Sequence, residues 1–268
     1  MYDISIITPS LNAEKYINKC IKSIRLQKEV NVQHIVVDGG SNDSTIEIIK
    51  KNNFSEFFLL KGSSIYEALN FGVSKSRASI VGFLNTDDYY KSDSILSKIF
   101  LKFYGKDSNK IVYGDCRFVN EKGKLLYKLF SPKNISYERA KKRIFNISHP
   151  SWFVDKKLFF ELGGFDTSLK FISDCDFILK ALRKEVKFVY IKEEISNFLI
   201  HSNNKSNSKK AKKEYMKYFQ ANNGKSIIYK INSYFLSICM YMKDMRYFFY
   251  KINNFYKIII SRSQKLFF

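Results

Sequence analysis

Short runs of β-branched residues alternate with segments of helical apolar spacing over the first hundred residues. Between the first two runs, Ile17, Cys20, Ile21 and Ile24 recur at the i, i+3, i+4, i+7 spacing of one apolar helix face. This alternation predicts an α/β fold, in which helices cover both faces of a mostly parallel sheet. The runs that predict strands are residues 4–7, 34–37, 57–60 and 79–84.

Further helices are predicted in the same part of the chain. Ser44 precedes Glu47 by three residues, which is the spacing of a capping box, and so predicts a helix that continues through Lys51. Segments 65–76 and 95–103 carry apolar residues at roughly helical intervals.

The pattern after residue 103 is less regular. Residues 202–209 are polar and predict a loop, beyond which helical spacing continues almost to the end of the sequence. We therefore expect a domain over residues 1–204, with two halves that meet at residue 115, and a helical extension over residues 205–268. The remaining predicted elements are strands at 110–113, 124–130 and 186–190, a helix at 174–183, and a strand or loop at 145–154.

Basic residues are concentrated towards the C-terminal end. The chain has 46 Lys and Arg against 25 Asp and Glu, a formal net charge of +21. Residues 205–268 hold fourteen of the basic residues and only two acids, and they are rich in Phe and Tyr. Such a segment favours an anionic partner, which is either a nucleic acid or an anionic bilayer surface. The alternative is that its apolar face packs on the rest of the chain or on a second subunit, as in a homodimer.

We expect no export signal in this protein. Its N-terminus enters a strand at once, and no segment has the ~20 uninterrupted apolar residues of a transmembrane helix. The four cysteines, Cys20, Cys116, Cys175 and Cys239, form no CxxC pair and have no zinc-site spacing. We expect them to be reduced thiols, which predicts a cytoplasmic protein.

Three polar clusters follow predicted strands, at residues 8–12, 38–41 and 85–88. Ligands of open parallel sheets bind at the carboxyl ends of the strands, so these clusters are expected to form a nucleotide site. Asp87 and Asp88 are adjacent carboxylates after an apolar strand, a costly arrangement unless a cation neutralises them. They predict a Mg²⁺ or Mn²⁺ site; the alternative is a solvated turn or the N-cap of the next helix.

Taken in order, these motifs resemble the family 2 glycosyltransferases of GT-A fold. A further motif at residues 65–72 is similar to a subgroup that acts in bacterial O-antigen and capsule synthesis. The resemblance covers roughly residues 3–200, and several ordered motifs are more specific than any one of them. The segments that carry it are residues 4–12, 36–45, 65–72, 83–88, 149–151, 163–166 and 173–176.

The resemblance assigns residues 1–115 to a nucleotide-binding half and residues 116–204 to an acceptor half. It implies that Thr8, Pro9 and Asp38 line the uracil and ribose pocket. Asp87 would contact the ribose or the donor sugar, and Asn85 belongs to the same nucleotide-binding set.

A metal site and a general base are implied in the same way. Asp88 would bind the Mn²⁺ or Mg²⁺ that bridges the donor diphosphate, and His201 would be a second metal or phosphate ligand. The alternative for His201 is an exposed loop histidine. Asp174 would take the proton of the acceptor hydroxyl in a single displacement, which inverts the anomeric centre and converts an α-linked donor into a β-linked product.

Several residues depart from the family pattern or have a weaker assignment. Leu11 replaces an aromatic residue, Ser44 replaces a glycine, and residues 61–64 lack the usual acids, which leaves the donor-sugar contacts open. His149 either contacts the acceptor or diphosphate, or packs beside Trp152. The lesser candidates are Asp115 and Glu67 for the donor sugar, and His34 and Asp176 as structural residues.

The function implied is transfer of a hexose, glucose or galactose, from a UDP-sugar to a lipid-linked saccharide. An example of such an acceptor is undecaprenyl-diphosphate-linked N-acetylhexosamine. The enzyme would work peripherally at the cytoplasmic face of the inner membrane, and no nucleic acid is expected as a partner. Two alternatives are a basic nucleic-acid-binding protein on a nucleotide-binding fold and an inactive scaffold.

Overall fold

A computed structural model describes residues 1–104, 109–141, 147–201, 204 and 208–223. Within these residues, nine strands form a single sheet that helices cover on both faces. The strands are β1 (Ile4–Ser10), β2 (Val32–Asp38), β3 (Glu56–Leu59), β4 (Ile80–Phe83), β5 (Tyr89–Tyr90), β6 (Lys110–Val119), β7 (Leu125–Leu129), β8 (Trp152–Asp155) and β9 (Lys187–Leu199). The helices are α1 (Ile17–Arg25), α2 (Thr45–Lys51), α3 (Ile65–Lys75), α4 (Ile95–Phe103), α5 (Tyr137–Lys141), α6 (Lys156–Glu161), α7 (Ser173–Arg183) and α8 (Lys209–Asn223), with a 3₁₀ turn at His149–Ser151.

The first half of the sheet is parallel, in the order β3-β2-β1-β4. Strand β1 is buried along its whole length and pairs with β2 from Ile4 opposite Val32. The strands and the helices between them confirm the α/β prediction for the first hundred residues. Because β1, β2 and β4 run in the same direction, the three polar clusters lie at the same end of the sheet, as expected.

The second half of the sheet is mixed. Strand β8 pairs antiparallel with both β4 and β6, so β6 runs in the same direction as β4. Strand β9 pairs parallel with β6, with a register shift near Asp115, and its thirteen residues greatly exceed the predicted strand at 186–190. The predicted boundary at residue 115 falls inside β6. Segment 145–154 was predicted to be a strand or a loop. In the structure, strand β8 begins within it, at Trp152, and residues 145–146 lie outside the described part.

Two large apolar clusters hold the helices on the sheet. One is rich in aromatic rings, with Phe83, Trp152, Phe159 and Phe177 all essentially inaccessible to solvent. The other lies on the opposite face and joins α1 and α4 to the sheet through aliphatic side chains. Buried aromatic side chains contribute large apolar areas, so the first cluster fixes α7 firmly on β4 and β8.

Helix α8 packs on the domain, although the sequence places it in the C-terminal extension. Its Phe219 is completely buried in the aromatic cluster. The Glu214 carboxylate accepts hydrogen bonds from the backbone N–H groups of Lys170 (3.1 Å) and Phe171 (2.8 Å). The predicted membrane or nucleic-acid contact concerns residues 205–268. Most of this segment, residues 224–268, lies outside the described part. In the described residues, no helix has the length and apolar character needed to cross a membrane.

The predicted capping box at Ser44 is wrong. Ser44 occupies the N-cap of α2, but its side chain makes no capping hydrogen bond there. Asp43 supplies an acceptor instead, since its Oδ1 accepts from the backbone N–H of Thr45 at 3.0 Å. The capping box forms at α3, where Ser64 and Glu67 each accept from the other's backbone N–H.

Candidate active site

The loops that follow β1 and β2 are joined to each other. The backbone N–H of Asn12 donates to Ser41 Oγ at 2.8 Å, and the N–H of Asn42 donates to Asn12 Oδ1 at 2.9 Å. Asn12 has a φ of 50°, in the left-handed region that asparagine tolerates better than most residues. These contacts fix a polar rim above the carboxyl ends of both strands.

The carboxylate of Asp38 organises its own loop. Its Oδ1 accepts from the backbone N–H groups of Gly40 (2.9 Å) and Ser41 (2.6 Å), and its Oδ2 accepts from Ser41 Oγ (2.6 Å). Gly40 has a φ of +100°, and an added Cβ would lie 3.1 Å from Lys61 Cγ. Asp38 therefore shapes the turn at the predicted nucleotide pocket, and its contact with uracil or ribose stays a prediction.

Thr8 and Pro9 belong to β1 itself and are buried. The hydroxyl of Thr8 lies 3.0 Å from His34 Nε2, and His34 Nδ1 lies 2.6 Å from Ser55 Oγ. Burial lowers the pKa of His34 to about 3, so the ring is neutral and structural, as expected. The Thr8 side chain is thus engaged inside the protein. Ser10 Oγ, at the end of the strand, is buried, and none of the residues described here forms a hydrogen bond with it.

Asp87 meets His201 beside the end of β4. His201 Nε2 lies 2.9 Å from Asp87 Oδ2, and Asn204 Nδ2 donates to the same oxygen at 3.3 Å. The exposed fraction is 22% for the Asp87 side chain and 9% for His201. Tyr16 stacks on the His201 ring, with 5.0 Å between ring centroids. A carboxylate and an imidazole therefore share a partly open position at the nucleotide end of the sheet.

Asp88 points the other way and is only 1% exposed. Its Oδ1 accepts from the backbone N–H of Leu199 at 3.1 Å, and Asn85 Nδ2 lies 3.4 Å from its Oδ2. Burial, and next the charge of Asp87, raises the pKa of Asp88 well above its usual range. The carboxylate therefore joins the end of β4 to the end of β9. Asn85 Oδ1 is also buried and has no hydrogen-bonding partner in the part of the chain that the structure describes.

The carboxylate of Asp174 lies in the first turn of α7 and is 21% exposed. Tyr66 Oη donates to its Oδ1 at 3.0 Å. His149 Nδ1 lies 3.5 Å from its Oδ2, and burial lowers the pKa of His149, which keeps the ring neutral near pH 7. The His149 ring also stacks on Phe83 at 5.6 Å, so these contacts connect Asp174 to the end of β4.

The packing alternative for His149 is seen in the structure, because its ring lies among Phe83, Trp152 and Phe165. Three other candidate acids have partners within the protein. Asp176 accepts from Tyr218 Oη at 2.6 Å, which agrees with a structural role. Asp115 accepts hydrogen bonds from the Tyr190 hydroxyl and the Ser131 N–H. Glu67 accepts a hydrogen bond from the Ser64 N–H.

Comparison with protein families matches residues 5–160 to Glycosyl transferase family 2. The chain belongs to this family. The match covers more than half of the sequence and contains β1, β2, β4 and the Asp87 region, and it confirms the resemblance noted from the motifs.

Relatives of this family 2 chain include proteins named as polysaccharide synthases. It is 28% identical over 198 residues to an uncharacterized glycosyltransferase of Rickettsia typhi, covering 72% of this chain and 62% of the relative. It is 28% identical over 208 residues to chondroitin synthase of Pasteurella multocida, covering 76% of this chain and 21% of the synthase. An uncharacterized glycosyltransferase of Mycoplasma genitalium is 28% identical over 255 residues, or 91% of this chain and 82% of the relative. The chain thus spans less than two thirds of the first two relatives.

The solved structure of S. aureus TarS 1-349 in complex with UDP-GlcNAc has the same fold. It superposes with a TM-score of 0.64 at 19% identity, over 82% of this chain and 66% of TarS 1-349. The predicted GT-A fold is confirmed by this match.

Three residues that contact the candidate site residues were not predicted from the sequence. Tyr66 lies within the motif at residues 65–72, and the spacing of that motif gave no sign of its contact with Asp174, 108 residues away. Asn204 follows His201 by three residues, a spacing that allows its Oδ1 to accept from the His201 N–H at 2.7 Å. No sequence signal marks the contact of Tyr16 with His201.

Proposed function

We propose that this glycosyltransferase transfers a hexose from a UDP-sugar to a saccharide hydroxyl, with inversion at the anomeric carbon. The observation that carries the proposal is the pairing of Asp87 with His201 at the end of the parallel strands, with Asp174 connected to the same strand end through His149 and Phe83. The UDP-GlcNAc bound to TarS supports a UDP-sugar donor, and the name of the chondroitin synthase relative supports a saccharide acceptor.

We assign the metal site to Asp87 and His201, in place of Asp88. Both Asp88 oxygens have protein neighbours and the side chain is inaccessible, whereas Asp87 and His201 are partly open. No group of three or more His, Cys, Asp or Glu able to hold a metal occurs among the described residues, so diphosphate oxygens and water would complete the coordination. A carboxylate suits Mg²⁺ or Mn²⁺, and the imidazole favours the transition ion of the two. The bound ion would supply Lewis-acid stabilisation of the departing diphosphate.

Asp174 is proposed as the general base. As the acceptor oxygen attacks the anomeric carbon, its proton would move to a carboxylate oxygen of Asp174. The bond between the anomeric carbon and the diphosphate oxygen would break, and UDP would leave with the electron pair. A partly exposed carboxylate that faces neutral neighbours is suited to receive this proton, because no fixed cation competes for it.

The acceptor is proposed to be a lipid-linked saccharide of O-antigen or capsule assembly, used at the cytoplasmic membrane face. Support comes from the basic, aromatic composition of residues 205–268, since Lys and Arg near an anionic bilayer each contribute about 1 kcal/mol of binding. The sequence predicts glucose or galactose as the donor sugar, and the UDP-GlcNAc bound to TarS adds an N-acetylated sugar to the candidates.

The experiment is UDP release from UDP-glucose, UDP-galactose and UDP-GlcNAc, with Mn²⁺ or EDTA and a synthetic lipid-diphosphate-linked N-acetylhexosamine. We expect Mn²⁺-dependent release that requires the acceptor and is strongest with one donor, and a product with inverted anomeric configuration by NMR. Retention of configuration would contradict the mechanism. Release that is insensitive to EDTA would contradict the metal assignment, and no release with any donor would contradict the proposed donor class.

A further inference from the structure

Two side chains from separate elements flank the carboxylate of Asp174. Tyr66, in the first turn of α3, donates to Oδ1 at 3.0 Å. His149, in the 3₁₀ turn before β8, places Nδ1 3.5 Å from Oδ2. Each oxygen of the carboxylate thus has its own neighbour, and the two neighbours belong to elements that are far apart in the sequence.

Tyr66 is held rigidly where it makes this contact. Its side chain is 5% exposed and packs in the aromatic cluster, with its ring centroid 5.3 Å from that of Phe165. The capping box of Ser64 and Glu67 fixes the helical turn that carries it. Burial, followed by the charge of Asp174, raises the pKa of Tyr66 well above its usual range, so the phenol keeps its proton and acts as a donor.

His149 is fixed in a comparable way. Its ring lies between Phe83 and Trp152, and neither ring nitrogen has a hydrogen-bonding partner among the described residues. A neutral, immobile ring beside Oδ2 limits rotation of the carboxylate without forming an ion pair with it. Rotation about the last torsion of an aspartate is otherwise weakly restricted.

We infer that Tyr66 is a positioning residue that orients the Asp174 carboxylate towards the acceptor hydroxyl, with His149 restricting it from the other side. The inference rests on the proposed function, in which Asp174 is the general base. Helix α3 packs on β1 and β2, the strands of the nucleotide half, whereas Asp174 lies on α7. The hydrogen bond therefore sets the position of the base relative to the half that binds the donor.

The test compares Tyr66→Phe with Tyr218→Phe. Both substitutions remove a phenol that donates to an aspartate in the first turn of α7, but Tyr218 donates to Asp176 and not to Asp174. With saturating UDP-sugar, we expect Tyr66→Phe to lower the transfer rate by about 10- to 100-fold, because small misplacement of a reacting group has an effect of this size. The affinity for UDP with Mn²⁺ should change by less than about twofold, and Tyr218→Phe should keep the transfer rate within about twofold.

A double-mutant cycle separates positioning from a structural role. In the Asp174→Asn background, Tyr66→Phe should cause no further loss of transfer beyond about twofold, because the group that it positions is already absent. His149→Phe keeps an aromatic ring in the cluster and should also lower transfer without changing UDP affinity. It provides a second test if Tyr66→Phe fails to fold by circular dichroism.

The inference is overturned if Tyr66→Phe, or His149→Phe in its place, transfers at the wild-type rate. Equal losses in Tyr66→Phe and Tyr218→Phe, or a further large loss on the Asp174→Asn background, would also overturn it. A wild-type protein that transfers no sugar, or an Asp174→Asn variant with the wild-type rate, would instead show that the proposed function or its base is wrong, and the inference would fall with it.

Discussion

At the scale of single residues, the neighbours Asp87 and Asp88 have opposite environments. Asp88 accepts the Leu199 N–H inside the protein, while Asp87 faces His201 and Asn204 in a partly open position. The two residues follow β4 in a turn, where the backbone N–H of Asp88 donates to the Asn85 carbonyl at 3.1 Å, and their carboxylates leave this turn in different directions. The Asp88 carboxylate therefore joins the ends of β4 and β9, and the Asp87 carboxylate lies beside His201.

We expect Asp87→Asn to weaken Mn²⁺-dependent UDP binding by about 10- to 100-fold or more, because the proposed metal site would lose its carboxylate ligand. The matched variant Asp88→Asn keeps an oxygen that accepts from Leu199, so its UDP affinity should stay within a few-fold of wild type. Isothermal titration with UDP, with and without Mn²⁺, measures both. Loss of metal dependence in Asp88→Asn alone would restore the assignment made from the sequence.

The sequence predicted the place of Asp87 and Asp88 in the fold but not which of the two carboxylates is buried. The motif at residues 85–88 shows that carboxylates follow an apolar strand, and the fold confirms that position. Which acid points inward depends on β9, whose Leu199 N–H lies 111 residues away along the chain. A contact of that separation leaves no trace in local spacing, and the same holds for Tyr66 with Asp174.

At the scale of secondary structure elements, helix starts depend on local geometry that composition does not determine. Ser44 and Ser64 both precede a glutamate by three residues. Only Ser64 has the extended backbone, with ψ of 166°, that lets its hydroxyl reach the N3 amide, whereas Ser44 has ψ of 4°. The loop contacts of Glu14 and Asp43 hold the start of α2 in this other conformation.

Ser64→Ala should therefore destabilise the protein by about 1 kcal/mol, the usual contribution of a side-chain N-cap. Ser44→Ala is the control, since its side chain makes no capping hydrogen bond, and its effect should be a few tenths of that value at most. Urea unfolding followed by circular dichroism gives both free energies of unfolding. Equal destabilisation by the two substitutions would argue against a specific role of the α3 capping box.

Helix α8 is expected to behave energetically as part of the domain on which it packs. Phe219 is completely buried, and replacing it with alanine should cost about 3–5 kcal/mol in the free energy of unfolding, as for other buried phenylalanines. Phe160→Ala is the matched control, because Phe160 is 49% exposed on α6 and loses much less buried area. Thermal and urea unfolding should separate the two variants clearly. A Phe219→Ala variant as stable as Phe160→Ala would mean that α8 is not anchored on the domain.

At the scale of the whole molecule, the candidate site is assembled from segments far apart in sequence. The loops after β1 and β2 form a polar rim, the end of β4 brings Asp87, the end of β9 brings His201, and α7 brings Asp174. The parallel first half was predictable because each strand has local periodicity and a helix follows it. The antiparallel insertion of β8 between β4 and β6 was not, because short apolar strands carry no information about their partners.

The packing of α8 also changes how membrane binding should be tested. A truncation before Lys209 would remove Phe219 and Glu214 from the domain, so any loss of binding could reflect unfolding. Removing residues 224–268 avoids this difficulty, since every described contact of α8 made by residues 209–219 is retained. The removed segment contains eight Lys and Arg and one acid, Asp244.

We expect the chain ending at residue 223 to bind anionic phosphatidylglycerol vesicles at least about tenfold more weakly than the full chain. The reason is that each basic residue near such a surface contributes about 1 kcal/mol, and the eight removed charges exceed what a tenfold change requires. Neutral phosphatidylcholine vesicles should bind both forms weakly, and unchanged Mn²⁺-dependent UDP affinity would show that the shortened protein is folded. Equal binding of both forms to anionic vesicles would place the membrane contact elsewhere on the domain. If the full chain instead binds single-stranded RNA and leaves the vesicles free, the basic segment serves a nucleic acid, and the membrane proposal is wrong.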